Sequence, residues 1–497
     1  MWILILGFIA ILSLAAIWSI VQKNSYPKTV GVAEPWYPLI GNGLLFLGQN
    51  DLKKFQNLKK IFSAAQEDLF RLYLGPKIIF FTTDVNMAQK IMTNPICMER
   101  PYMYDFFKLN EGLFAAKFHH WKGQRKALNP AFNIKILESF VPIFCNATKN
   151  MLQRLDAIPA GETINIMEYL SRCTLEMTCA TTFEFDVNDF PKVDELLDYM
   201  ERFFYYGAKR MLKFQYHQDF VYRWTQDYRE QTSVRKFLDA YGVQLYNDAH
   251  ERYTKGLLTN DQTEDDNNEG FRKPQLFVNQ IFTNTLRKFD REEIIHNIFT
   301  IVGAGTDTSA TEVSYTLLQL AMYPGYQQKV YEEIMDIFPE TEPHITPESL
   351  KRLQYTEMVL NECLRLYPVA PNLLRENTED ITLCGARIPK GSMFGISTYT
   401  IHRRKDIWGP DADRFDPERF SPKRSAGRHP FAFLTFSGGS RNCVGARYAM
   451  ISMKIMLLYL LKRYRFKTKI REEDMRFRFE AVLRLDGGHL VQIEKRQ

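Results

Sequence analysis

The first charge-free stretch of the chain, MWILILGFIAILSLAAIWSIV, runs from Met1 to Val21 with no ionisable side chain. As a helix it would reach roughly 31 Å, enough to cross a hydrocarbon core. Lys23 and Lys28 follow at once, which favours keeping the C-terminal side cytosolic. A cleaved signal peptide is the competing reading, with Ser13-Leu14-Ala15 as its small-x-small site. The absence of a basic leading region and the length of the apolar run argue for an uncleaved anchor. In EPWYPLIGN, Pro35 and Pro38 flank Trp36 and Tyr37, predicting a stiff, extended connector. Residues 1–21 are thus expected to be an anchor, 22–44 a linker and 45–497 one large body.

From residue 50 to 370 apolar positions recur three and four apart, which predicts helices. The polar, acidic stretch Thr259 to Gly270 predicts an exposed loop between long helices. Between Phe203 and Tyr228 aromatics crowd among lysines and arginines, a pattern that suits either a membrane interface or ordinary amphipathic core packing. Strand signals are few. ITLCGARIPKGSMFGIST predicts a small sheet, and AVLRLDGGHLVQIE a hairpin turning at Asp486-Gly487-Gly488. The expected fold is mainly α with a smaller β region.

Composition narrows the function. The 497 residues carry a net charge of +6, too mild for a nucleic-acid binder of this length. A basic face for an anionic membrane or an acidic protein stays open. Seven cysteines at scattered spacings, with no C-x-x-C pair, exclude a disulfide scaffold and a structural zinc site. Six of them read as core residues in a reducing compartment. Cys443 differs: it lies in FSGGSRNCVGARYA, among Gly438, Gly439 and Gly445, with Arg441 two residues before it. Cations and backbone N–H groups stabilise a thiolate, and the helix expected from Ala446 adds its N-terminal dipole. A single thiolate without a second Cys or His ligand suits haem iron.

The run from Phe436 to Gly445 matches F-x-x-G-x-R-x-C-x-G, and on it the chain resembles the cytochrome P-450 superfamily. Thr435 and Ser440 stand where many members carry proline. Glu362 and Arg365 in NECLRLYP, with Arg419 in FDPERF, resemble the family's E-x-x-R and P-E-R-F segments, which imply a buried scaffold for the cysteine loop. Trp121 and Arg125 in HHWKGQRKALNPAF resemble W-x-x-x-R; the resemblance implies that they contact haem propionates with Arg441 and Arg375. GAGTDTSA resembles the family's oxygen-site helix, implying that Thr308 hydrogen-bonds there and that Asp307 helps to deliver protons.

Motif order, the anchor and this helix make the chain most similar to the microsomal branch of fatty-acid ω-hydroxylases and their arthropod relatives. The resemblance implies the family fold, a haem b cofactor, and a single-pass protein of the endoplasmic reticulum membrane with its catalytic domain on the cytosolic side. It also implies monooxygenation of an apolar small molecule, whether a fatty acid, a steroid or terpenoid, or a xenobiotic. Cys443 would be the metal ligand, with Phe436 and Gly445 part of the haem site. No flavin or nicotinamide fingerprint is present, so electrons are implied to come from NADPH–cytochrome P-450 reductase, with cytochrome b5 as a further partner. Lys122, Lys126, Arg403, Arg404, Lys405 and Arg447 are the candidate docking cations. Members with covalent haem carry glutamate where this chain has Ala304, so no ester is expected. Phe106, Phe107, Phe114, Leu373 and the 203–224 aromatics are candidate pocket residues. A peroxide lyase or isomerase, and a haem- or lipid-binding protein without turnover, are the competing functions.

Overall fold

A computed structural model describes residues 2–159, 161–183, 193–256 and 276–496. The expected loop from Thr259 to Gly270 lies outside them. The apolar N-terminal run forms α1 (Trp2–Asn24), which ends three residues beyond the uncharged stretch and is exposed along nearly all its apolar length. Its end is tied to the body: Arg71 donates to the Lys23 carbonyl at 2.8 Å, and Lys23 pairs with Glu34 at 3.0 Å.

The elements that build the site follow in order. They are β1 (Val30–Val32), β2 (Leu69–Leu74), β3 (Lys77–Thr82), α2 (Phe118–Leu128), α3 (Ile166–Phe183), α4 (Val193–Leu212), α5 (Gln226–Thr254) and α6 (Arg291–Met322). After them come α7 (Gln354–Leu366), β4 (Leu373–Glu376), β5 (Met393–Ile396), α8 (Ala446–Arg463), β6 (Phe477–Glu480) and β7 (Val482–Leu485). Among the described residues the largest sheet has the order β1-β2-β3-β5-β4. Its β2–β3 hairpin interrupts the region expected to be helical. LFRLYL is buried at all six positions, and an apolar run covered on both faces carries no strand alternation to read.

The 32-residue α6 crosses the body's centre. Asp290 and Glu293 close its N-terminus in a capping box. Leu317 and Leu320 of α6 pack with Leu170 and Met177 of α3, Leu360 of α7, and Leu457 and Leu460 of α8. The α3 contact is close: Thr174 donates to the Thr306 carbonyl at 2.9 Å, and a Cβ on Gly305 would meet the Thr178 methyl at 2.6 Å. Glycine at 305 is what lets these helices touch.

The C-terminal hairpin is a correction. Asp486-Gly487-Gly488 does turn, with positive φ at both glycines, but the strands on either side of it do not pair with each other. Val482–Leu485 pairs with Phe477–Glu480, and Leu490–Lys495 joins Tyr464–Lys467 and Thr163–Asn165 in another sheet. The predicted small sheet also divides: Ile381–Leu383 pairs with Ala386–Ile388, while β5 joins the large sheet.

Candidate functional site

The cysteine loop is held from outside and closed from within. The His402 ring accepts the Leu434 N–H at Nε2 (2.8 Å) and donates from Nδ1 to the Arg365 carbonyl (3.1 Å), which fixes a neutral tautomer. Burial, reinforced by the Arg365 charge, pushes its pKa down to about 3. Inside the loop the Cys443 N–H donates to the Phe436 carbonyl at 2.9 Å. Gly439 takes φ +67°, and a Cβ there would lie 2.0 Å from the Met92 carbonyl oxygen, so no other residue fits.

Cys443 lies on the wall of a cavity of about 420 Å³. It is exposed to that cavity rather than to bulk water. Burial raises its thiol, while the Gly445 N–H and the Arg125 guanidinium favour the thiolate. Cys97 and Cys145 are pushed up to about 11 and Cys179 to about 12 by burial, and none of them lines this cavity.

Near the cysteine loop stand cations without counter-charges. Arg441 is buried, gives one N–H to the Ala116 carbonyl (2.8 Å) and lies 4.4 Å from the Trp121 ring centroid; its Nε and Nη1 have no partner. Arg375 of β4 is buried and donates to its neighbour's carbonyl (2.9 Å) and to Ser437 (3.1 Å). Arg100 donates to the Tyr104 hydroxyl at 2.9 Å and leaves Nε unpartnered. Burial, then the neighbouring guanidinium charges, push Arg441 down to about 8 and Arg375 to about 9. Among the described residues none of the three forms an ion pair with a carboxylate. Buried guanidinium groups with spare N–H donors are costly alone and match carboxylates bidentately. The donor set therefore fits a ring that carries two carboxylates and offers its metal to the Cys443 sulfur.

Trp121 and Arg125 both line the cavity, but they act differently. Arg125 grips Asn442 through its carbonyl and its Oδ1, both at 2.9 Å, so α2 clamps the residue before Cys443. Phe436 and Gly445 also line the cavity, and Gly445 is the N-cap of α8.

The opposite wall is α6, where Ala304, Gly305, Thr308, Ser309 and Glu312 line the cavity. Thr308 donates its hydroxyl proton to the Ala304 carbonyl at 2.6 Å and keeps its oxygen free to accept. Asp307 is not in the wall. It accepts from Arg484 of β7 at 2.5 Å, and Arg484 also donates to Thr311 at 3.0 Å.

The E-x-x-R pair is a buried, fully dressed ion pair. Arg365 holds Glu362 by two bonds of 2.7 Å and donates to the carbonyls of His402, Ala412 and Arg414. Arg419 reaches Glu362 at 3.4 Å and Asp411 at 2.8 Å. Through His402 this network carries the cysteine loop.

Other candidates separate. Phe107, Phe114 and Leu373 line the cavity, Phe106 does not, and Phe203 and Phe204 line a smaller apolar pocket beside it. Phe214 packs over Gly43 and Gly75, whereas Phe220 and Trp224 are 70% and 85% exposed. Arg403 and Arg404 pair with Asp413, Asp84 and Asp406, leaving Lys122, Lys126, Lys405 and Arg447 exposed. Sequence reading missed Arg100, His402 and Glu312. None belongs to a local motif; the only hint for Arg100 is a lone cation in the apolar, aromatic segment CMERPYMYDFF.

A family model described as Cytochrome P450 matches residues 32–493. The chain is 30% identical to Probable cytochrome P450 313a4 of Drosophila melanogaster, over 100% of this chain and 99% of that protein. It is 28% identical to Cytochrome P450 4c21 of Blattella germanica, over 93% of this chain and 92% of the relative. It is 27% identical to Cytochrome P450 4V2 of Pongo abelii, over 93% and 88%.

Proposed function

The chain belongs to the cytochrome P450 family, haem-thiolate monooxygenases, and from that premise we propose that it hydroxylates an apolar small molecule at a membrane surface. The observation that carries this reading is the cavity with Cys443 in one wall, unpaired guanidinium groups beside the loop, and Thr308 on α6. Haem b, when bound, supplies the activation of dioxygen.

The protein's residues do the remaining work. Cys443 gives its sulfur as thiolate, steadied by the Gly445 N–H and Arg125. Arg441, Arg375 and Arg100, with the Trp121 indole, would hold the ring carboxylates. Arg125 keeps the loop in register by gripping Asn442, and Phe436 and Gly445 shape the surface against the ring. Thr308 accepts a hydrogen bond at the oxygen side of the cavity. Asp307, tied to Arg484 behind the wall, is the carboxylate through which protons would be delivered.

Residues 1–21 would be the membrane anchor, 22–44 the linker and 45–497 the catalytic body, cytosolic on the endoplasmic reticulum. Lys122 and Lys126 on α2 and Arg447 on α8 flank the Arg125–Asn442 contact, and they suit docking of an acidic electron donor such as NADPH–cytochrome P-450 reductase or cytochrome b5. Alanine at 304 offers no carboxyl for an ester to haem.

Reduced, CO-treated protein tests the reading. The wild type and Cys97→Ala should both give the thiolate Soret band, and Cys443→Ala should lose it; an unchanged band in Cys443→Ala would sink the assignment. NADPH consumption with purified reductase and an apolar substrate then separates a monooxygenase from a peroxide isomerase or a silent binding protein.

A further inference from the structure

Glu312 is an expensive residue where it stands. It lies on α6 one turn beyond Thr308, is 1% exposed, and neither carboxyl oxygen has a hydrogen-bond partner. Ser309, three residues earlier on the same helical face, also has an unpartnered buried hydroxyl. Both line the cavity that contains Cys443. Thr182, Asn372 and Thr435 carry further unpartnered oxygens in the cavity wall, but each sits on a different element. Only Ser309 and Glu312 form a pair on one face.

A buried polar group without a partner is costly, so an apolar residue at 312 would make a more stable helix. Burial raises the Glu312 carboxyl well above its ordinary range, which favours the protonated form. In that form it has one O–H to donate and a carbonyl oxygen to accept. It is also the only carboxyl among the described residues lining the cavity, whose other charged residues are arginines.

We infer that Glu312, with Ser309, is the substrate-recognition point of this cavity, and that it selects an apolar molecule carrying a neutral oxygen function, a ketone or an alcohol, over a free carboxylate. The inference rests on the haem-thiolate oxygenase reading and narrows its substrate class. A neutral carbonyl accepts the Glu312 proton, and an alcohol can both accept it and donate to the carbonyl oxygen. An ionised carboxylate would lose its own hydration against an apolar wall, with the cavity's arginines already engaged by Asn442 and by the ring carboxylates they would hold. A plain hydrocarbon leaves both Glu312 oxygens unsatisfied.

The test uses full-length, haem-loaded protein and three probes of matched length: decane, the corresponding methyl ketone, and decanoate, with affinities from equilibrium dialysis at neutral pH. Wild type should hold the ketone about five- to tenfold more tightly than either other probe, the equivalent of one buried hydrogen bond. Glu312→Leu should erase the preference while leaving decane binding equal or tighter, and Glu312→Gln, which keeps a donor and an acceptor, should restore most of it. The CO spectrum of each variant reports the haem-thiolate separately, so loss of that band in wild type would defeat the oxygenase reading without touching the dialysis result. Three results would overturn the inference: a ketone preference surviving in Glu312→Leu, tighter binding of decanoate by wild type, or haem retained covalently by denatured wild type but not by Glu312→Leu, which would assign the carboxyl to the cofactor.

Discussion

Thr308 and Asp307 are neighbours in sequence with separate fates. Thr308 faces the cavity and spends its proton on the Ala304 carbonyl, while Asp307 is turned to Arg484, whose charge it balances in a largely buried site. Their substitutions should therefore separate cleanly. Thr308→Ala removes an acceptor from the cavity but no packing of consequence. It should keep its haem and thermal midpoint and lower product formed per NADPH by about fivefold, the equivalent of one hydrogen bond of about 1 kcal/mol. Asp307→Asn leaves the Arg484 guanidinium without its counter-charge and should cost about 2 kcal/mol of stability. Undiminished coupling in Thr308→Ala would assign that hydroxyl to helix geometry alone. The acid–alcohol pair is legible in the sequence because its residues are adjacent. That the two side chains diverge is not, because the partner that decides it, Arg484, arrives from a strand 177 residues away.

The elements most legible in the sequence are those whose signal is contiguous: the cysteine loop, α6, and the Glu362–Arg365 turn of α7. What sequence could not give is how distant elements meet. His402, with no motif around it, joins α7 to the cysteine loop by accepting from Leu434 and donating to Arg365. Arg100 and Glu312 show their importance only through missing partners in three dimensions. The strands β2 and β3 carry no alternation to read because β2 is buried throughout and β3 over its last four residues, and the C-terminal turn is legible in the sequence while the pairing of its flanking strands with different sheets is not. This arrangement makes α7 a lever on the haem site. Arg365→Leu leaves the buried Glu362 carboxylate with the Asp416 N–H at 2.8 Å and the longer Arg419 contact, and frees three carbonyls. Breaking a buried pair from one side costs about 3–5 kcal/mol. The variant should fold poorly and yield little thiolate CO band, although no atom of Arg365 lines the cavity. A normal yield of the band at normal thermal stability would show that the loop holds itself.

At the scale of the whole molecule, buried histidines bear on stability and α1 on the proposed location. Three buried histidines are held neutral: burial first, then neighbouring arginine charge, pushes His402 and His489 down to about 3 and His296 to about 4. Below pH 6.5 the unfolded chain takes up protons that the folded one refuses, so stability is full above that pH and falls as pH drops toward 4. Each histidine contributes a slope of up to about 1.4 kcal/mol per pH unit, and Asp156, held down to about 2 by Arg463, Tyr464 and Lys495 against the cost of burial, acts in the same direction below its ordinary range. Glu312 opposes them, since its buried proton favours the fold at low pH. The thermal midpoint should therefore drop on acidification, and less steeply in His489→Leu; an equal slope in that variant would remove His489 from the account. The proposed membrane location rests on α1, which is apolar and exposed along nearly all its length. Every residue proposed to hold haem lies beyond residue 99, so a truncated protein should still fold and load haem. The position of the cut matters, because Lys23 receives Arg71 and pairs with Glu34. Removing residues 1–21 spares those ties, whereas removing 1–24 cuts them and should lower the thermal midpoint. The shorter deletion should move the protein from the membrane pellet toward the soluble fraction with its CO band intact. Residual binding to vesicles should then depend on Trp224 and Phe220, the most exposed aromatics among the described residues of the body, and should be lost on changing both to Ser. If deletion of 1–21 leaves the protein in the pellet after this double change, the anchor is not α1.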